Sequence, residues 1–323
     1  MRELTYAEAM VEALHEVMEE DERINLIGSY FLGLSPRRFL LDRLRVDFGA
    51  RIFDPPISEV GFCGLGVGAA TAGLRPIVDI GTGSFIFSGW PMVVNEAANV
   101  HYMTGGQTSV PVVFHILHGL RGGGAAQHSH SPQAMLWNTP GLEIMLPSSP
   151  KDVKGLIKTA VRSDNPTVFV DHVRLFEVKG EVPDDDYAIP FGRADVKRVG
   201  KDVTIVATSF MVQRALRAAE DLAKQDIDVE VVDPRTLVPF DKEAILKSVE
   251  KTGRLVVVDE CHKSCGVAAE ISAIVVEEAY SALKGPIKRV TTADVPVPFS
   301  PRLEGFIEPA EDKIIGAVRE LVN

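Results

Sequence analysis

The stretch Asp54-Pro-Pro-Ile-Ser-Glu59-Val-Gly-Phe-Cys-Gly64-Leu-Gly66-Val-Gly68-Ala-Ala-Thr-Ala72-Gly73 decides how the rest of the chain is read. Two consecutive prolines cannot donate to a strand ladder, so extended structure before them has to stop there. Gly64, Gly68 and Ala72 recur every four positions and share one face of a helix that starts near Glu59. A face of such small residues lets another helix approach closely. A carboxylate at a helix N-terminus is ordinarily a solvated partner of the helix dipole. Glu59, however, is flanked by Ile57, Val60 and Phe62. A carboxylate partly withdrawn from water holds its proton more tightly, which suits exchange with a weakly basic heterocycle nitrogen. Gly64-Leu-Gly66-Val-Gly-Ala69 also fits the G-x-G-x-x-G/A dinucleotide fingerprint, with Asp79 downstream. That fingerprint needs a strand running straight into its glycines, where this chain has Pro55-Pro56 and Glu59. It also wants its acidic residue about twenty positions on, and Asp79 comes too early. A dinucleotide site is rejected.

Working outward, Thr5-x-x-Glu8 predicts a capping box for a helix that carries Met10, Leu14, Val17 and Met18 on one side. A short strand is expected over 23–28. Downstream of Glu59 come a strand over 76–80, a helix holding Val93, Ala97 and Val100, and a strand over 110–116. The glycine-rich loop 119–124 then delivers Gln127-His128-Ser129-His130. Ser149-Pro150 is a helix start, a cap residue followed by proline at the first helical position. The next strand is expected over 167–170. This alternation predicts an α/β fold with a mostly parallel sheet covered by helices on both faces. Between residues 177 and 202 the text turns polar and loses periodicity, which divides the chain into domains 1–185 and 186–323. The alternation then restarts, with strands over 203–207, 229–232, 255–258 and 288–292 and helices over 212–224, 267–283 and 309–322.

The 323 residues suffice for two such domains, and 46% hydrophobic with 24% charged residues is ordinary for a globular protein. A net charge of −11 argues against nucleic acid as a partner. Three cysteines make no disulfide framework, and Cys261-His262 with Cys265 matches no standard zinc spacing. His115 and His118 fall near the end of a predicted strand, where that spacing sends them to opposite faces. The glycines at 122–124 are not followed by the Lys-Ser/Thr of a phosphate-binding loop. The first residues lack the apolar core of a signal peptide, and no apolar run reaches the ~18 residues of a membrane span. A soluble, cytoplasmic protein is expected.

Asp54-Pro-Pro-Ile-Ser-Glu59-x-Gly61, Ala72-Gly-Leu-Arg-Pro76, Tyr102-Met-x-Gly-Gly-Gln107, Ala126-Gln-His128-Ser and Lys154-Gly-Leu-Ile-Lys158 follow one another in this order. In this the chain resembles, over nearly its whole length, the β subunit of the thiamine-diphosphate-dependent, decarboxylating component of 2-oxoacid dehydrogenase complexes. Acetoin dehydrogenase β subunits are close relatives of that family. The resemblance implies a pyrimidine-binding domain followed by a transketolase-type C-terminal domain. It implies that Glu59 bonds the aminopyrimidine nitrogen of thiamine diphosphate, that Phe85 packs against the ring, and that Ile57 and Gly81 lie beside it. It implies that His128 is the active-site histidine, which stabilises intermediates and assists transfer to the acyl acceptor.

The family holds the diphosphate through magnesium on a Gly-Asp-Gly motif, and this chain has none. The resemblance therefore implies a separate α subunit that carries the magnesium, in a heterotetramer. It implies a lipoyl-bearing acyltransferase as the acceptor, with a 2-oxoacid or acetoin as substrate. The backbone carbonyls of Val112, Ala160, Val161, Ser163 and Asn165 match a potassium-binding turn of some members. Departures are Ser29-Tyr30 in place of an acidic residue, Gly81 in place of a larger apolar one, Trp90-Pro91-Met92, and His115-Ile-Leu-His118 in place of Arg-Gly-Pro-Asn. They leave the substrate open, and with it an acid relay between paired sites. Two other readings are the C-terminal subunit of a split transketolase, where Ala-Glu-Gln usually surrounds the carboxylate, and a non-catalytic scaffold. Retention of Glu59 and His128 weighs against the scaffold.

Overall fold

A computed structural model describes residues 1–28, 30–33 and 35–322; Ser29, one of the departures above, lies outside the described residues. The chain groups into two units, Met1–His118 with Met135–Phe191, and Gly119–Ala134 with Gly192 onward. A single cut between 185 and 186 does not express this division, because it leaves Gly119–Ala134 with the first unit.

The first unit begins with β1 (Arg2–Thr5), α1 (Tyr6–Glu20), β2 (Ile24–Ile27), α2 (Leu40–Phe48) and β3 (Ile52–Phe53). Next come α3 (Glu59–Thr71), β4 (Arg75–Thr82), α4 (Ile86–Trp90), a π-helical segment Pro91–Ala97, α5 (Ala98–Met103) and β5 (Val113–His118). The chain goes on through α6 (Gln133–Trp137), β6 (Glu143–Met145), α7 (Pro150–Arg162), β7 (Thr167–His172) and β8 (Lys179–Val182). Its main sheet runs β6-β7-β5-β4-β2-β3, every pair parallel. β5 and β7 are buried along their whole length, as strands covered on both faces must be. The predicted strand over 110–116 starts later, at Val113, because Pro111 has no N–H to give a ladder.

Thr5 and Glu8 close their capping box, with Glu8 N–H on Thr5 Oγ1 at 3.3 Å and Thr5 N–H on Glu8 Oε2 at 2.8 Å. Ser149 caps α7 through the Asp152 N–H, with Pro150 behind it. α7 packs on α1 through an ion-pair cluster with buried lysines and partly exposed acids, in which Lys154 reaches Glu12 and Glu16 and Lys158 reaches Glu16 and Asp186. The lysines of the Lys154–Lys158 motif are thus structural. A small antiparallel pair, β1 with β8, completes the unit.

The second unit holds β9 (Asp195–Arg198), β10 (Val203–Ala207), α8 (Phe210–Ala223), β11 (Val229–Asp233), β12 (Thr236–Val238) and α9 (Lys242–Thr252). It continues with β13 (Leu255–His262), α10 (Val267–Ala279), β14 (Lys288–Thr292), α11 (Pro301–Ile307) and α12 (Glu311–Val322). Its sheet runs β14-β13-β10-β11-β9, with only β9 antiparallel. The helix expected over 309–322 is α12, which starts at Glu311; a separate short helix, α11, precedes it, with Pro309 between the two.

Candidate active site

Glu59 is the first residue of α3 and is half-buried; Ser58 before it makes no side-chain cap bond. The turn sits on α4, where a methyl group added at Gly89 would meet Cys63 Sγ at 2.9 Å and the Glu59 carbonyl oxygen at 3.4 Å. Burial first, and then the Glu59 charge, push the Cys63 thiol up to about 12. Gly66 seats α3 on β4, since a methyl there would overlap Val78. The small-residue face behaves unevenly. Gly64 would meet Met92 Sδ at 3.2 Å, whereas Gly68 has none of the described residues within 4 Å. The apolar neighbours expected to shield Glu59 are largely exposed, Ile57 by 92% and Val60 by 46%.

Inside β4, near its end, Asp79 builds a local turn, its Oδ1 accepting the Gly81 N–H at 3.0 Å. The pairing of β4 with β5 shifts register there, and Gly81 takes φ +76°, a left-handed value that favours glycine. Among the described residues, a methyl group at Gly81 would find only Tyr30 Cβ, at 3.7 Å, within 4 Å. Phe85, half-buried, closes the turn Gly83–Phe85 that leads into α4. Glu59, Gly81 and Phe85 therefore lie on three elements packed together in one unit: α3, the end of β4 and the turn into α4. A carboxyl, an aromatic face and a position without a side chain fit the demands of a flat heterocycle. Ile57 precedes α3 on the surface.

Behind Gly81, Asp79 Oδ1 also faces His115 Nδ1 at 2.9 Å, and His115 Nε2 faces Asp171 Oδ2 at 3.3 Å. Burial alone would lower the pKa of this ring. Hydrogen bonds to Asp171 and Asp79 and their charges outweigh it and raise it to about 9. His118 turns the other way, edge-on to His172 at 5.0 Å between ring centroids.

His128 belongs to the second unit, where it is exposed at the end of the turn Ala126–His128. The loop that carries it is pinned by two buried carboxylates. Glu260 Oε1 accepts the Leu120 N–H at 3.2 Å, and Glu304 accepts those of Gly122 and Gly123. Next to it Ala126, Ser129, His130, His262 and Asp294 line a cavity of about 550 Å³. Burial, then the nearby His262, lower the pKa of His130. Glu260 and Glu304 are absent from the sequence reading because no local pattern links them to a loop well over a hundred residues earlier.

At the turn suggested for potassium, Arg75 Nη1 donates to the carbonyls of Val161 at 3.0 Å and Ser163 at 2.8 Å. The Val112 carbonyl accepts the Thr167 N–H and that of Ala160 the Ser163 N–H, while the Asn165 side chain reaches Glu143. A potassium ion there would share two of its five carbonyls with a guanidinium.

Comparison with known proteins agrees with this architecture. Residues 2–178 match the transketolase pyrimidine binding domain, and residues 192–314 match the transketolase C-terminal domain. The chain is 39% identical to the β subunit of an acetoin:2,6-dichlorophenolindophenol oxidoreductase of Bacillus subtilis, over 100% of this chain and 98% of that one. It is 42% identical to the β subunit of the pyruvate dehydrogenase E1 component of Rickettsia felis, over 99% and 98%. It is 39% identical to the 2-oxoisovalerate dehydrogenase β subunit of Bacillus subtilis, over the full length of both. A solved split-gene transketolase, described as an inactive beta4 tetramer, shares the fold with a TM-score of 0.81 at 24% identity, over 99% and 98% of the chains.

Proposed function

The chain belongs to the family of 2-oxoacid and acetoin dehydrogenase β subunits, which join a transketolase-type pyrimidine-binding domain to a transketolase C-terminal domain, and on that premise we propose that it supplies the pyrimidine half of a thiamine-diphosphate site. The observation that carries this is Glu59 on the first turn of α3, a helix that packs on β4, which bears Gly81, and on α4, which Phe85 leads into. Thiamine diphosphate, when bound, supplies the carbanion chemistry that attacks a substrate carbonyl.

The residues of the chain bind and tune. The Glu59 carboxyl would hold a proton at the pyrimidine ring nitrogen and exchange it there, work worth typically ~10²–10⁴-fold in rate. Phe85 would cover the ring, and the bare Gly81 would leave it room. His128 would stabilise charge on the acyl group during its transfer to a lipoyl acceptor. A partner α subunit would hold the diphosphate through magnesium, in the heterotetramer that the family resemblance implies. In keeping with such a partner, the first unit exposes Ile57, Val60, Leu65, Tyr102 and Met103, apolar surface that a lone chain has reason to cover. A ketol-transfer reading rests on fold likeness alone.

The test is to purify the chain with and without its α-type partner and to assay 2-oxoacids and acetoin with thiamine diphosphate and magnesium. Turnover only in the presence of both chains is expected. Tight magnesium-dependent cofactor binding by the lone chain would overturn the split site, and ketol transfer without dehydrogenase activity would favour the transketolase reading.

A further inference from the structure

His115 is fully buried, and both of its ring nitrogens face carboxylates, Asp79 at 2.9 Å and Asp171 at 3.3 Å. A neutral imidazole has one N–H and one bare nitrogen, so one of these contacts would set a lone pair against an anion. Only the imidazolium donates to both. The surroundings are consistent with a fixed, charged ring. From α1, the Tyr6 hydroxyl donates to Asp171 Oδ1 at 2.6 Å, and the His172 N–H on β7 donates to the same oxygen at 2.7 Å. Phe31 stacks on the imidazole at 4.8 Å and Phe169 tilts against it at 4.8 Å. The His172 ring is turned toward His118 on β5. Asp79 then passes the arrangement on, because the oxygen that faces His115 also holds the Gly81 N–H.

We propose that His115, as an imidazolium bridging Asp79 and Asp171, is a positioning residue for the cofactor site: it fixes the turn that presents Gly81, and its deprotonation in alkali loosens that turn. The inference rests on the reading of Glu59, Gly81 and Phe85 as a pyrimidine site. Loss of the proton leaves two buried carboxylates competing for one N–H, and the partner left over carries an uncompensated charge. Asp79 is then free to rotate, and Gly81 loses the acceptor that sets its backbone. The raised pKa of His115 agrees with a ring that stays charged through neutral pH.

The protonation state is read on the isolated chain by nitrogen NMR of ¹⁵N-labelled histidine, with His115 assigned by its loss in His115→Gln. Both ring nitrogens should carry protons near neutral pH; a bare nitrogen there would overturn the proposal. Its consequence is read in the complex with the α-type partner, as hydrogen–deuterium exchange at the thiazolium carbon of thiamine diphosphate across pH. His115→Gln should slow exchange about ten- to a hundredfold, as loss of a hydrogen bond between charged groups implies. His115→Arg, with a permanent charge and donors for both acids, should restore the rate and remove the alkaline fall of the wild type. An unchanged rate in His115→Gln, or the same alkaline fall in His115→Arg, would refute the positioning role. Should the arginine variant not fold, the ring protonation and the glutamine variant still decide. A wild-type complex with no exchange at any pH would instead defeat the pyrimidine-site reading and leave the NMR result standing.

Discussion

Glu304 holds Gly122 by its backbone: one carboxylate oxygen accepts the Gly122 N–H at 2.6 Å, and the other accepts the next N–H, that of Gly123, at 2.9 Å. Glu304 is 1% exposed, so water cannot replace either bond. Glu304→Gln puts an NH₂ group against one of the two donors. A buried donor left unsatisfied costs about 1–3 kcal/mol. The thermal transition should come earlier, and acyl transfer should fall more than cofactor activation, because the loop carries His128 and not Glu59. Circular dichroism and paired rate measurements on the assembled enzyme check this; equal losses in both rates would detach Glu304 from His128.

Glu59→Gln keeps the size of the side chain but removes the exchangeable carboxyl proton. An amide is no costlier to bury than a carboxylate, so folding and assembly should survive. Exchange at the thiazolium carbon should drop by roughly 10²–10⁴-fold. A wild-type exchange rate in this variant would reduce Glu59 to a helix-end carboxylate.

The two glycines of α3 with opposite surroundings give opposite expectations. Gly66→Ala places a methyl group into Val78 and should destabilise the chain by about 1–3 kcal/mol, the usual cost of overpacking. Gly68→Ala meets none of the described residues within 4 Å and lies within a helix, so it should stabilise the lone chain by about 0.5–1 kcal/mol. If this face meets a partner subunit, the same Gly68→Ala should weaken assembly. Denaturant melts of the lone chain and sedimentation of the complex separate the two effects.

Stability should depend on pH through His115. Its pKa rises from 6.5 in the unfolded chain to about 9 in the folded one. The native state therefore binds the proton more tightly, and the stabilisation is complete below about 6.5, shrinks above it and is gone once the pH has climbed through about 9. The melting temperature should fall across that interval in the wild type and stay nearly level in His115→Arg. A parallel fall in both would assign the effect to other groups.

What could be read without coordinates were the features encoded over a few neighbouring residues. Thr5 with Glu8, Ser149 with Pro150 and the mostly apolar, β-branched strand over 203–207 carry their own signals, and all three stand in the structure. Glu59 was legible because prolines and glycines punctuate it. Distant partners were not: nothing near Asp79 announces His115, and nothing near Gly122 announces Glu304. Nor does local text reveal that Gly119–Ala134 sides with the second unit. The π-helical segment starting at Pro91 was hidden as well, since Val93 and Ala97 keep an ordinary helical spacing while the backbone widens its turn.

The pairing of β1 with β8 has a bearing on synthesis. Residues 2–5 are made long before the strand they pair with, 179–182. At the usual elongation rate of about 5–20 residues per second, the partner strand follows only after roughly 10–40 s. Over that interval residues 2–5 lack their partner and present an unpaired strand edge, an invitation to other nascent chains. Arg2 and Glu3 on it, a charge of each sign, are a natural deterrent to such premature pairing.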